Sequence, residues 1–169
     1  MEEILEILEK NSKIEIDKIA VMLNKSVNEV EKAIKECEEK NVILGYSTMI
    51  NWEKTEKDTV TALIELKVTP QRGAGFDKIA DRIYNYPQVK ACYLMSGGFD
   101  LTVIVEEKTM KDVAYFVAEK LATLEGVLST ATHFVLKKYK DKGIMFEKKE
   151  KDDREAIVLW VLEIRFLQP

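Results

Sequence analysis

The chain has 169 residues, with 26 Lys or Arg against 30 Asp or Glu, so its formal net charge is −4. Hydrophobic residues make up 46% and charged residues 33%, which are values of globular proteins and exclude a disordered chain. No apolar run is long enough to span a bilayer, and the acidic start MEEILEILEK excludes the basic region of a secretory signal. The length fits one ordinary domain or two small ones.

Three helices are predicted in the first forty residues, because apolar side chains recur there at three- and four-residue steps. Their predicted bounds are Glu2–Lys10, Ile16–Leu23 and Ser26–Lys40. The third helix begins with a capping box, in which Ser26 is followed three residues later by Glu29. Asn41 stands at its end, where a left-handed residue is expected. Two short amphipathic helices separated by only two residues indicate a helix-turn-helix.

The segment Val42–Asn51, VILGYSTMIN, is rich in β-forming residues and is predicted to be a short hairpin or wing. Three helices and a wing make a winged helix-turn-helix. The charged stretch that follows marks a linker. We therefore predict a DNA-binding domain at residues 1–52 and a linker at 53–58.

From Thr59 the apolar period changes to two, which predicts strands. The predicted order is β-α-β-β-α-β, with strands at 60–68, 89–95, 101–105 and 127–136 and helices at 76–83 and 110–124. This order predicts a ferredoxin-like α+β domain at residues 59–150. Leu63 and Ile104 fall on the sheet face that the helices leave open. We expect that face to pack on another subunit.

The C-terminal part carries no functional prediction. The stretch Lys137–Glu155 is a charged run and is predicted to be a solvated extension with one short apolar piece, Gly143–Phe146. Residues 151–169 form an extension of unknown role, which turns apolar from Ala156 onward.

Several motifs in this order resemble those of one family. The family's segment after the recognition helix is similar to residues 42–50, VILGYSTMI. Its "G-x-(Y/F)-D" turn and the strand after it are similar to residues 97–105, GGFDLTVIV. Its last strand is similar to residues 126–136, GVLSTATHFVL. Over residues 1 to about 150 the chain resembles the Lrp/AsnC, or feast/famine, transcription regulators. The resemblance implies a winged helix-turn-helix joined to a ferredoxin-like domain, and a free amino acid as the effector.

Candidate DNA contacts lie at the turn and on the first part of the third helix, where a helix-turn-helix meets bases and phosphates. Lysines bind phosphate, and an asparagine can pair with adenine. The candidates are Lys25, Ser26, Asn28, Lys32 and Lys35. The alternative is a solvated helix face whose serine only caps the helix. Residues 1–50 hold seven Lys and eleven acidic residues, which disfavours strong non-specific DNA affinity.

Candidate effector contacts centre on the turn Gly97-Gly98-Phe99-Asp100. Glycines leave backbone N–H groups open to a carboxylate, and the aspartate can hold an ammonium group. Thr130 and Thr132 on the last strand can add hydroxyl contacts. The alternative is a hairpin turn that needs glycine for its dihedral angles, with the aspartate supporting the turn.

No catalytic or metal-binding residues are predicted. His133 is the only histidine, and no further ligands stand at metal-binding spacing from it. Cys37 and Cys92 lie inside apolar periods and are expected to be buried thiols of a cytoplasmic protein. No cofactor and no membrane partner are expected.

The sequence therefore predicts a sequence-specific transcription regulator that binds double-stranded DNA as a homodimer or a larger homo-oligomer such as an octamer, modulated by a small effector, an amino acid. Two alternatives remain. Sirohaem decarboxylases are similar in layout, and a non-DNA-binding oligomeric sensor fits Ala33, which stands where the family usually has a basic residue.

Overall fold

The computed structural model describes residues 1–70, 73 and 75–147. The chain divides into two compact units, Met1–Ile50 and a second unit that begins at Asn51. The predicted extension 151–169 lies outside the described residues. In the described part of the chain, no helix is long and apolar enough to cross a membrane.

The first unit contains the three predicted helices. They are α1 (Glu2–Lys10), α2 (Ile16–Leu23) and α3 (Val27–Glu39). Their inner faces bury Ile4, Ile19, Ala20 and Val30 at the centre of the bundle. Asn41 has a φ of 55°, which confirms the left-handed residue expected after α3. The predicted helix-turn-helix is therefore confirmed.

The hairpin predicted for Val42–Asn51 is not formed, because the segment contains no strand. The N–H groups of Val42 and Ile43 both bond to the carbonyl of Cys37, at 2.8 and 3.1 Å, so they close the end of α3 instead. Beyond them, the side chain of Leu44 is 90% exposed. A two-stranded hairpin without further packing is only marginally stable.

The second unit is built on a four-stranded antiparallel sheet with strand order β2-β3-β1-β4. The elements are β1 (Val60–Val68), α4 (Asp77–Tyr84), β2 (Val89–Leu94), β3 (Leu101–Glu107), α5 (Met110–Phe116) and β4 (Val127–Phe134). A π-helical turn, Val117–Leu121, continues α5. This arrangement confirms the predicted β-α-β-β-α-β order and the α+β fold class.

The two faces of the sheet differ sharply. Ala62, Ile64 and Leu66 of β1 are fully buried in the core shared with the two helices. Leu63, which points to the opposite face, is half-buried and pairs with Ile104 of β3. On its other side Leu63 pairs with His133 of β4. We call the face that carries these side chains the open sheet face.

The sequence did not predict the last described element. We predicted that residues 137–147 are part of a solvated extension. In the structure, β5 (Lys140–Asp141) and β6 (Ile144–Met145) form a small antiparallel hairpin within them. Lys142 and Gly143, with φ angles of 43° and 81°, form the turn. Two positive φ angles match the tight turn that suits a two-residue hairpin loop.

Candidate DNA interface and effector site

The turn between α2 and α3 is only two residues long. Asn24 adopts the left-handed conformation, with φ 51° and ψ 46°, which asparagine tolerates better than most residues. The N–H of Lys25 then donates to the carbonyl of Ala20 at 2.9 Å. Buried Ile19 and Val30 anchor the two helices to each other. The turn therefore holds the start of α3 in a fixed orientation relative to α2.

The start of α3 is closed by the predicted capping box. The Ser26 hydroxyl accepts from the Glu29 N–H at 3.3 Å and donates to the Glu29 carboxylate at 2.6 Å. The same carboxylate accepts from the Ser26 N–H at 2.8 Å. These hydrogen bonds lower the pKa of Glu29. Both side chains are therefore already occupied, so the predicted DNA contact by Ser26 competes with its capping role.

Ser26→Ala is expected to lower the free energy of unfolding at neutral pH by about 1 kcal/mol, because it removes the cap. The pKa of Glu29 in the folded protein is lowered from 4.5. The stabilisation that comes from the ionised Glu29 carboxylate is therefore fully present above pH 4.5, and it is lost as the pH falls through the pKa of the folded state. Thermal unfolding followed by circular dichroism should show the difference from wild type shrinking in acid. Ser47→Ala, at an exposed serine, is the control. A difference that stays constant in acid would contradict the role of Glu29.

The remaining predicted DNA contacts lie on exposed surface. Lys25, Asn28, Lys32 and Lys35 are all exposed, and the last three share one face of α3 because they are spaced by four and three residues. Lys35 lies 4.0 Å from Glu39. In the described part of the chain, no acidic group lies within 4.0 Å of Lys25 or Lys32. Of the three predicted lysines, Lys25 and Lys32 are therefore more available to phosphate than Lys35.

The turn between β2 and β3 contains the other predicted site. Asp100 connects this turn to β1 through two hydrogen bonds. The N–H of Asp100 donates to the carbonyl of Leu66 at 2.9 Å, and the carboxylate Oδ2 of Asp100 accepts from the N–H of Val68 at 2.8 Å. The Asp100 carbonyl also accepts from the Met95 N–H at 2.8 Å. The aspartate therefore supports the turn, as the alternative interpretation of the sequence expected. The sequence pattern gave no sign that Val68 would be its partner.

The two glycines of the turn differ in what they require. Gly97 has a φ of 145°, a conformation that side chains rarely adopt. A Cβ on Gly98 would meet no atom within 4 Å, and its φ is not positive. The absence of a side chain at Gly98 is therefore not imposed by packing or by the backbone. It leaves the backbone at this point open to a ligand.

The predicted threonines lie on the helix-covered face of the sheet. Thr130 pairs with Leu66, and Thr132 pairs with Ile64; both are half-buried. Thr130 therefore lies beside the same end of β1 that Asp100 contacts, but on the opposite edge of that strand. Two strand spacings separate Thr130 from Asp100, which is about 10 Å. Thr132 is two residues further from that end. The structure thus brings Thr130 nearer than Thr132 to the turn.

Asp100→Ala is expected to destabilise the protein by about 1–3 kcal/mol, because the partly buried N–H of Val68 loses its acceptor. Asp100→Asn keeps an acceptor oxygen and should cost less. Urea unfolding of both variants measures the difference. Equal and negligible losses would show that the Asp100–Val68 hydrogen bond is unimportant for stability.

Two protein-family models match the two units. The model described as "Winged helix-turn-helix DNA-binding" matches residues 2–43, and the "Lrp/AsnC ligand binding domain" matches residues 61–145. The first match therefore covers α1 to α3, and the second covers the sheet, its two helices and the Gly97–Asp100 turn.

Known relatives agree with both matches. The chain is 50% identical over 157 residues to the HTH-type transcriptional regulator YugG of Bacillus subtilis, covering 92% of this chain and 94% of that protein. Two solved structures share the fold. A transcriptional regulator from Neisseria meningitidis in complex with L-Met has a TM-score of 0.68 at 19% identity, covering 88% of this chain and 94% of that one.

The second structure is a feast or famine regulatory protein from M. tuberculosis complexed with L-methionine, with a TM-score of 0.67 at 19% identity, covering 82% of this chain and 90% of that one. The helix-turn-helix, the sheet order, the two matched domain models and the 50% identity to YugG lead to one assignment. The chain belongs to the Lrp/AsnC family and is a DNA-binding transcriptional regulator of that type.

Proposed function

We propose that this regulator recognises a specific DNA sequence with α3 in the major groove and that an amino acid bound near the Gly97–Asp100 turn changes its DNA affinity. Lys25 in the turn before α3, together with the exposed helix face of Asn28 and Lys32, supports the first part. Asn28 has the side chain that pairs bidentately with adenine. The lysines neutralise phosphates on either side, which positions the helix without reading the sequence.

The amino-acid effector is proposed chiefly because two proteins of the same fold are bound to L-methionine in their structures. The turn contains the groups that an amino acid needs. Gly98 leaves its backbone accessible, which suits a carboxylate. Among the described residues, Oδ1 of Asp100 accepts no hydrogen bond, so that oxygen can receive an ammonium group. Phe99 lies in the turn itself, and Thr130, about 10 Å away across two strand spacings, is the nearer of the two predicted threonines.

The Asp100→Asn variant separates the two roles of this residue. It retains an oxygen for the Val68 N–H but removes the negative charge that the ammonium group needs. We expect calorimetric titration to show that L-methionine binding is lost in this variant while the fold is kept. Unchanged binding in Asp100→Asn would move the effector site away from the turn.

We also propose a homodimer or a larger homo-oligomer, such as an octamer, formed through the open sheet face. Leu63 and Ile104 give that face an apolar centre, which is costly to leave in water. A symmetric pair presents two α3 helices to two DNA half-sites. The distance between the half-sites is one turn of DNA, about 34 Å, or a multiple of it. An effector that binds one arrangement better shifts the equilibrium, with a typical coupling of about 1–3 kcal/mol.

Footprinting on the DNA upstream of the protein's own gene tests the proposal as a whole. We expect protection of two half-sites on one side of the duplex, with a midpoint that shifts when L-methionine or another amino acid is added. Protection without any amino-acid dependence would remove the effector part only. No protection at low salt, with or without amino acids, would contradict the proposed DNA recognition.

A further inference from the structure

The single histidine of the chain lies on the open sheet face. His133 of β4 pairs with Leu63 of β1, so its imidazole is in the same cross-strand row as the apolar centre of that face. The Nε2 atom of His133 is 3.4 Å from Oε1 of Glu65, which follows Leu63 by two residues on β1 and therefore shares its face. A second copy of the chain that packs on the apolar centre covers this ion pair as well.

The carboxylate of Glu65 depends on this histidine for its counter-charge. In the described part of the chain, no Lys or Arg nitrogen lies within 4.0 Å of that carboxylate. The cross-strand neighbour of Glu65 on β3 is Thr102, which is only 5% exposed. The Thr102 hydroxyl has no hydrogen-bond partner among the described residues, so it does not donate to Glu65. The charge of Glu65 is therefore offset only while His133 is protonated.

A second carboxylate of the same face has a permanent counter-charge. Glu106 of β3 lies opposite Thr61 of β1 and accepts a hydrogen bond from the Thr61 hydroxyl at 3.5 Å. The ammonium group of Lys138 is 3.5 Å from the same carboxylate oxygen of Glu106. A lysine ordinarily stays charged throughout the neutral range, whereas an imidazole ordinarily gains or loses its proton between about pH 5 and 8. Glu65 thus differs from Glu106 because its counter-charge depends on pH.

At its paired positions the open sheet face carries two further titratable side chains, Lys67 of β1 and Tyr93 of β2. Lys67 follows Glu65 by two residues, which is about 7 Å along an extended strand, so it is further from Glu65 than His133 is. Tyr93 pairs with Thr102, and a phenol is ordinarily neutral at neutral pH. Neither side chain ordinarily changes its charge between about pH 6 and 8. A change of charge on this face in that range therefore belongs to His133.

We propose that assembly through the open sheet face takes up protons at His133, so that a second copy of the chain binds more tightly in mildly acidic than in mildly basic solution. A covered carboxylate without a counter-charge is strongly unfavourable, and the protonated imidazole supplies that charge to Glu65. Because assembly stabilises the protonated form, it is strongest at low pH and weakens as the imidazole loses its proton. This inference rests on the proposed assembly through the open sheet face and adds the proton as an input that is separate from the effector.

Fluorescence-detected sedimentation of the full chain over a dilution series, at about pH 6 and about pH 8, tests the proposal. Each proton taken up changes the association constant by up to about tenfold per pH unit. We expect the dissociation constant of the wild-type assembly to rise about tenfold or more between the two values. His133→Gln, which has no charge, should assemble weakly at both. His133→Lys, whose charge is permanent, should assemble tightly at both.

Glu65→Gln gives a second readout, because it removes the carboxylate that the protonated His133 offsets. Its assembly should lose the pH dependence or reverse it, since a covered imidazolium then lacks a partner. Glu125→Gln, which changes an exposed carboxylate outside this face, is the control and should assemble with the pH dependence of wild type. Circular dichroism verifies that each variant is folded.

Two kinds of failure are distinguishable. Equal wild-type dissociation constants at the two pH values, or a wild-type pH dependence in His133→Gln, would overturn the proton-dependent assembly and leave the interface itself standing. Ile104→Glu tests the interface, because it places a carboxylate at the apolar centre of the face. Assembly that survives Ile104→Glu, or no assembly of the wild type at either pH, would overturn the interface and the role of His133 together.

Discussion

Replacing Lys25, Lys32 and Lys35 together by Ala is expected to reduce DNA affinity on the order of 100-fold at low salt and to flatten its salt dependence. Each lysine that neutralises a phosphate contributes about 0.9 to the slope of log affinity against log salt, so three lysines contribute up to about 2.7 per protomer. Fluorescence anisotropy with a labelled operator over a range of salt concentrations measures both effects. The single variants should not be equal. Lys35→Ala should cost least, because its ammonium group lies 4.0 Å from Glu39.

A second triple variant provides the matched control. Lys78, Lys108 and Lys140 are exposed lysines of the second unit, and changing them to Ala alters the net charge by the same amount. We expect this variant to keep its affinity and its salt slope. If both triple variants lose the same affinity, net charge and not α3 governs binding. If the α3 variant binds as wild type does, the helix does not contact DNA, and the sensor alternative gains support.

Ile104→Glu is expected to dissociate the proposed oligomer. The side chain lies at the centre of the open sheet face, opposite Leu63, and a carboxylate buried there without a partner is strongly unfavourable. Monomers present only one α3 to DNA. They lose the high effective concentration that links two half-sites, which is commonly worth about 10²- to 10⁴-fold in affinity. Analytical ultracentrifugation and anisotropy on the same samples measure assembly and binding together.

Met110→Glu is the control for this change. Met110 is 52% exposed and begins α5, which packs on the other face of the sheet, and a carboxylate at a helix start is tolerated or favourable. This variant should assemble and bind as wild type does. An Ile104→Glu protein that keeps both its fold and its oligomeric state would refute assembly through the open sheet face. Circular dichroism distinguishes that outcome from unfolding.

The sequence predicted the helices and strands well because each has a strong local signal. Ser26 and Glu29 mark the start of α3, and Asn41 marks its end through a backbone conformation that few residues tolerate. In β1 the alternation of Ala62, Ile64 and Leu66 with polar or half-buried positions reports directly which face is buried. Such signals depend only on residues near one another in the chain.

The errors arose where the outcome depends on distant partners. β-forming residues in Val42–Asn51 predict a hairpin or wing, yet no strand forms in this segment, because an isolated two-stranded hairpin also needs packing against other parts of the chain to be stable. Lys142-Gly143 forms a hairpin turn whose flanking residues lack a strong β-forming pattern. In the candidate site, the link from Asp100 to Val68 spans 32 residues.

The two units have very unequal cores. Among the described residues, the main buried cluster of the first unit has four side chains, whereas that of the second has fourteen. A unit with so few buried contacts opens locally well before the rest of the protein unfolds. We therefore expect the helices of the helix-turn-helix to open locally more often than the sheet does. DNA that binds only the closed form stabilises it by mass action, so recognition includes a step of ordering, and its apparent affinity is reduced by the fraction of molecules in the open state.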